Sequence, residues 1–234
     1  MKKPDYLPSC KKCIAESDSL FKFINTNELE KLSLERTGDL YKKGDIIYHE
    51  GNRVNGCYCV HQGILKLYKT GIEGKEQIIR FAKKGDLIGF RSILSGEMAC
   101  TTAKVIEDAV LCFIPSDTLF RMVKNNPDFS VQLMKLACKE LGEANDFITD
   151  IAQKTVRERL AEVLIMLKET FDLDENQTLQ VSLTREELAN IVGTATESVI
   201  RLLSEFKDDK LIELNGRKIK LLNIEKLIKI GNVY

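Results

Sequence analysis

Two histidines in 234 residues leave this chain little acid–base apparatus. No P-loop, nucleophile elbow or metal-hydrolase histidine pair accompanies them, so an enzymatic role has no residues to carry it. Long apolar runs are missing as well. No stretch approaches the length of a membrane span, and the opening MKKPDYLPSCKKC lacks the apolar region of a secretory signal. The chain is therefore expected in the cytoplasm, with no membrane partner. Net charge is absent too, with 35 Lys and Arg against 35 Asp and Glu. Such a chain attracts a phosphate backbone only modestly, which puts any nucleic-acid selectivity onto base contacts. Cysteine comes in an odd number, seven, and five of these lie in strand-like or helix-like apolar patterns. That argues against a disulfide framework and for reduced thiols, some of them with a function.

What is present is ordinary globular material, 44% apolar and 30% charged, long enough for two domains. The most specific stretch is Thr184 to Leu222, TREELANIVGTATESVIRLLSEFKDDKLIELNGRKIKLL. Leu188, Ala189 and Val192 make one helical face; Gly193 interrupts it, and Val199, Leu202, Leu203 and Phe206 restart an apolar stripe. Ala189 permits a close helix crossing, and Gly193 can turn the chain without a Cβ clash. Thr184 with Glu187 and Thr194 with Glu197 both spell capping boxes. Leu211–Leu214 and Lys218–Leu221 flank Asn215-Gly216, a strong hairpin signal. Together these predict a winged helix-turn-helix, which puts its second helix into a DNA major groove.

Ahead of it, residues 1–24 form a lead with Cys10 and Cys13, and Asn25–Leu34 is a short helix capped by Thr26 or Asn27. From Gly38 to Pro115, DIIYHE, CYCVHQ, ILKLYKT, EQIIRFA, TTAKVI and AVLCFI are short strands separated by glycine turns, including Gly63, which predicts a sandwich, jelly roll or barrel. Helix returns at Ser116, and Pro127 opens a longer one to about Ile151. Along it Met134, Ala137, Leu141, Ala144, Ile148 and Ile151 alternate steps of three and four. Such a face either packs on its own β domain or forms a homodimer seam; the seam is the favoured reading. The expected division is 1–24 lead, 25–126 β-roll, 127–152 dimerisation helix and 153–234 DNA-binding domain. The fold class is α+β.

A β-roll of the cyclic-nucleotide-binding kind, a long seam helix and a C-terminal winged helix-turn-helix, in that order, resemble the Crp/Fnr family of bacterial transcription regulators. The motifs that carry the likeness are GDIIYHEGNRVNGCYCVHQGILKLY, GDLIGFRSILSG, QKTVRERLAEVL and LTREELANIVGTATESVIRLLSEF. The resemblance implies a homodimer on a near-palindromic double-stranded DNA site, contact with RNA polymerase, and a signal read in the roll or the N-terminal lead. It also implies base reading by a Glu and, four residues on, an Arg: Glu197 and Arg201. Chemistry supports the pair independently. A carboxylate accepts from cytosine N4, a guanidinium bonds guanine O6 and N7, and residues four apart share a helix face. Ser198, Thr196, Thr194, Arg185, Arg217 and Lys218 complete the expected DNA-contacting set. The plain alternative is that Glu197 only caps its helix and Arg201 is a solvated surface residue. The rival function class is a protein-interaction adaptor, which needs neither residue on that face.

Several sensor readings stay open. In the family, cyclic-nucleotide binding needs a Glu after the roll glycine and an Arg-Ser pair; this chain has Asp86 in GDLIGF and Met98-Ala99-Cys100-Thr101, so cyclic AMP is not the expected effector. An iron–sulfur cluster of the Fnr kind takes three N-terminal cysteines and one on a roll strand. Cys10, Cys13 and Cys112 match three of these as metal ligands, while the fourth position holds Ser19, beside Asp18. Alternatively Cys10 and Cys13 are a redox dithiol. Haem is the weaker option, since His49 and His61 both sit in strand patterns. Cys57 and Cys59 share one strand face among neighbours typical of plain core.

Overall fold

The computed structural model describes residues 10–15 and 19–233, and divides the chain into two compact units, Met1–Gly142 and Glu143–Tyr234. The first begins with helix α1 (Cys10–Ala15), a 3-10 turn (Leu20–Phe23) and α2 (Thr26–Glu35). Strands β1 (Thr37–Tyr41), β2 (Ile46–Tyr48), β3 (Gly56–Thr70), β4 (Glu76–Ala82) and β5 (Leu87–Ile88) follow, then α3 (Phe90–Ser95), β6 (Thr102–Pro115) and α4 (Ser116–Asn125). Helix α5 (Pro127–Gln153) starts on Pro127, whose missing N–H costs a first turn nothing. The division between units falls inside this helix.

The second unit continues with α6 (Val156–Phe171), α7 (Arg185–Val192), α8 (Thr196–Asp208), β7 (Ile212–Asn215), β8 (Lys218–Leu221) and α9 (Ile224–Gly231). No helix among the described residues is long and apolar enough to cross a membrane.

In the first unit an antiparallel sheet runs β1-β6-β3-β4, with β2 on β6 and β5 on β3. Two long strands replace four expected short ones, because CYCVHQ and ILKLYKT join through Gly63 while TTAKVI and AVLCFI join as β6. Gly63 is no turn. It sits at φ +89 where the β3–β6 register shifts, and a Cβ there would lie 2.5 Å from the Asp108 carbonyl oxygen. A bulge absorbs the bend that a turn would have made. Gly63→Val is expected to destabilise the unit by roughly 2–5 kcal/mol, from left-handed strain plus overpacking. A urea midpoint unchanged from native would mean the backbone yields at no cost.

Alternation along β3 and β6 sends side chains to two cores. Val60, Leu65, Leu111 and Val105 fill the inside of the roll, whereas Cys57, Cys59, Cys112 and Ile114 face a second core with Phe21, Leu32, Leu119, Met122 and Phe129. Asn25, one residue ahead of the expected caps, accepts from the Glu28 N–H at 2.9 Å to start α2. Arg121 of α4 holds α2 in place, with Nε 3.0 Å from Glu28 and the two terminal nitrogens 2.9 and 2.6 Å from the Glu35 oxygens. This forked pairing fixes geometry as well as charge. It sets the end of α2, and so Arg36, against the sheet.

Candidate nucleic-acid interface and thiol site

In the second unit Thr184 and Glu187 form the expected capping box at the start of α7, with the Glu187 N–H on Thr184 Oγ1 at 3.0 Å and the Thr184 N–H on Glu187 Oε2 at 2.9 Å. Gly193 takes the left-handed conformation at φ +71 and ends the helix, its N–H bonding the Ala189 carbonyl at 2.9 Å. The second box does not form. Helix α8 starts at Thr196 behind Ala195, which makes no side-chain cap, while the Thr194 N–H bonds back to the Ala189 carbonyl. The tight turn takes Thr194 out of capping position, and Glu197 is exposed in the first turn of α8. The first N–H groups of α8 thus have no side-chain acceptor from the cap residue, an end suited to an anion.

Val199, Leu202, Leu203 and Phe206 bury one face of α8. Its other face carries Glu197, Ile200, Arg201 and Ser204, all exposed, with Thr196 and Ser198 half-buried beside them. The Arg201 guanidinium bonds Glu205 at 2.6 Å across one helical turn, with 68% of its side chain exposed. An ion pair so exposed is worth about 0.3–0.5 kcal/mol, so it parks the arginine without trapping it. Arg157, which sequence reasoning missed, holds Glu205 at 3.0 Å and Asp209 at 2.7 Å while its guanidinium lies 4.7 Å from the Phe206 ring centre. Its only sequence signal was position in the helix ahead of the module.

The hairpin pairs Asn215 with Lys218, so Gly216 (φ +58) and Arg217 are the two central residues, one position later than Asn215-Gly216. Arg217 and Lys218 are exposed at this tip. Arg185 is drawn inward, donating to the Gly216 carbonyl at 2.8 Å, and burial lowers its pKa. In this state it braces the wing against α7. Thr178 bridges to Lys220, so the segment 172–178 that follows α6 is tied to the hairpin.

The α5 residues expected at a dimer seam fall in two groups. Met134, Leu141, Ile148 and Ile151 are large apolar side chains left exposed, Leu141 and Ile148 at 63% and 66%, and Ala144 is exposed with them. Ala137 is half-buried against the core of its own unit.

The second place where functional residues gather is in the first unit. Cys59 and Cys112 are direct partners across the β3–β6 pairing, hence on one sheet face with side chains adjacent. Cys10 and Cys13 are one turn apart on α1, hence on one helix face. These four, with Ser19, Phe21, Leu32, Arg36 and Ile114, line a cavity of about 20 Å3. Arg36, itself buried, donates to Cys112 Sγ at 2.6 Å, and Cys13 Sγ lies 3.5 Å from His61 Nδ1. Burial pushes the Cys112 thiol up, offset in part by Arg36, and pushes Cys59 well above the ordinary thiol range.

Cys57 is completely buried and pushed up to about 12, but lies outside the cavity lining. Ser19, at the fourth family position, is buried as the cap of the 3-10 turn and accepts from the Phe21 N–H at 3.3 Å. Asp18 lies outside the described residues. Sequence reasoning missed Arg36 and weighed His61 only as a haem ligand; Cys59 packs in the core as expected, and aligning CYCVHQ antiparallel to AVLCFIP would also have paired it with Cys112.

The residues at the family's nucleotide position do not suit a cyclic phosphate. The Asp86 carboxylate accepts from the Lys83 N–H at 2.9 Å and closes a turn, Gly89 is followed by the fully buried Phe90, and Ala99-Cys100 supplies no cation. His49 is exposed, and its fellow His61 stands beside Cys13.

Residues 39–126 match the family described as cyclic nucleotide-binding domain, and residues 158–230 the Crp-like helix-turn-helix domain. The fumarate and nitrate reduction regulatory protein of Vibrio cholerae is 28% identical over 214 residues, spanning 90% of this chain and 85% of that relative. The transcriptional activator protein Anr of Pseudomonas protegens is 28% identical over 218 residues, spanning 92% and 88%. Among solved structures, FixK2 from Bradyrhizobium japonicum superposes with a TM-score of 0.75 at 25% identity, covering 83% of this chain and 96% of that one. With a cyclic-nucleotide-binding fold followed by a Crp-like helix-turn-helix, and relatives of this kind along nearly its whole length, the chain belongs to the Crp/Fnr family of transcription regulators.

Proposed function

We propose that this regulator binds a near-palindromic operator as a homodimer in the cytoplasm, works through RNA polymerase, and answers to oxygen, redox state or nitric oxide at the thiol site of its first unit. The observation that carries the DNA reading is α8, whose buried stripe leaves Glu197 and Arg201 on the exposed face at a spacing that lets both enter one groove. Thr194, Thr196 and Ser198 at its N-terminal end, and Arg217 and Lys218 at the wing tip, are the groups we assign to phosphate and edge contacts. For the signal, soft thiols in an apolar wall fit an iron–sulfur cluster better than a hard ion or a phosphate. When bound, such a group supplies sensitivity to oxidants; the chain's own residues ligate it and exclude water. Two of the similar proteins are fumarate and nitrate reduction regulators, which supports a respiratory signal over cyclic AMP.

Arg201→Ala tests the base-reading assignment. It should weaken binding to the specific site by about 1–3 kcal/mol and leave binding to random DNA nearly unchanged, as read by fluorescence anisotropy. Equal loss on both DNAs would reduce Arg201 to a phosphate contact. Failure of the native chain to shift any palindromic promoter fragment, reduced or oxidised, would favour the adaptor instead.

A further inference from the structure

We infer that Cys59 on β3 is the fourth thiolate of the sensor site, completing a set with Cys10, Cys13 and Cys112. This rests on the cluster reading above and goes beyond it by naming a ligand that the three matched positions leave missing. Two elements each deliver an adjacent pair. The β3–β6 register sets Cys59 directly opposite Cys112, and one turn of α1 sets Cys10 over Cys13. Both pairs line the same cavity, whose remaining wall is apolar apart from Ser19 and Arg36. Ser19 is occupied as a cap on the Phe21 N–H, so the residue at the vacant family position has a structural job of its own.

The thiols surround the cavity without converging on one point; among the described residues no group of three Cys, His, Asp or Glu is gathered as a single metal ion requires. A set spread around a cage suits a polynuclear group, which would take its thiolates from separate directions. Each thiol gives up its proton to solvent as it binds. The Arg36 guanidinium beside Cys112 Sγ is placed to offset part of the negative charge that four thiolates bring. The present cavity, about 20 Å3, has room for about one water molecule, so loading a larger group displaces its walls.

The test is anaerobic reconstitution of the full chain with ferrous iron and sulfide, followed by iron and sulfide analysis, visible absorbance and circular dichroism. The native chain should take up iron and sulfide in equal amounts. If it takes up none, the cluster reading itself fails. Cys59→Ser should lose most of the bound sulfide while keeping the native far-ultraviolet spectrum. Cys57→Ser, equally buried and two residues away on the same face, should load like the native chain. Ser19→Cys added to Cys59→Ser should restore uptake. Native loading in Cys59→Ser, or equal loss in both serine variants, overturns the assignment of Cys59. Should Cys59→Ser fail to fold, the Mössbauer spectrum of the native loaded chain decides: iron sites all of thiolate type support Cys59, and one site with an oxygen donor overturns it.

Discussion

A chain carrying Leu141→Glu and Ile148→Glu is expected to be monomeric and to lose operator binding at concentrations where the native chain is saturated. Both side chains are among the most exposed large apolar groups of the described residues, at 63% and 66%, on a helix that buries Phe129 and Leu133 in its first two turns. Two turns apart, they sit on the stripe that also holds Met134, Ala144 and Ile151. Burying one such side chain is worth about 1.5–3 kcal/mol, so four of them across the proposed two-fold seam would contribute roughly 6–12 kcal/mol to association. Removing that term alone would lower the dimerisation constant by about four to nine decades, before the added glutamates repel one another. On the proposed near-palindromic operator, binding should fall with it, because a single α8 engages one half-site only. Sedimentation equilibrium reads the mass directly. A dimer of undiminished strength would put the seam elsewhere on the chain.

The second large effect is expected from Phe206→Ala. Phe206 is fully buried on α8, beneath the Arg157 guanidinium, and its carbonyl accepts from the Leu211 N–H at 2.9 Å where the helix gives way to the hairpin. Truncation removes the ring that anchors α8 and takes away the aromatic face under Arg157, which then holds Glu205 and Asp209 less firmly. The cost is about 3–5 kcal/mol, a large part of what an ordinary domain possesses. With no tryptophan in the chain, far-ultraviolet circular dichroism during urea denaturation is the practical probe. Specific and random DNA should be lost together, unlike the selective loss expected for Arg201→Ala. A denaturation curve that overlays the native one would show that the void collapses without penalty.

Legibility followed the range of the interactions. The helices of the second unit were readable because three- and four-residue spacing is local: Leu188, Ala189 and Val192, then Val199 to Phe206, mark their buried faces wherever the rest of the chain lies. The Thr184–Glu187 box was readable for the same reason, and the Thr194–Glu197 box misled because a spelling cannot say where a tight turn lets the helix begin. Gly63 misled similarly. Glycine marks a break in pattern, and only the long β3–β6 pairing makes that break a bulge instead of a turn.

Composition, periodicity and motif spacing by themselves determined an α+β chain with a closed or layered β domain, a long helix and a winged helix-turn-helix; the resemblance to the Crp/Fnr family singled out Glu197 and Arg201, which their spacing puts on one helix face. Tertiary structure decided the rest. It divided the α5 stripe between exposed Leu141 and Ile148 and half-buried Ala137, turned Arg185 inward onto the wing, and brought Cys59 to Cys10, Cys13 and Cys112. The physical reason is that helical faces repeat within a few residues, whereas strand register joins positions more than fifty residues apart. That register is set by the whole sheet and its bulges.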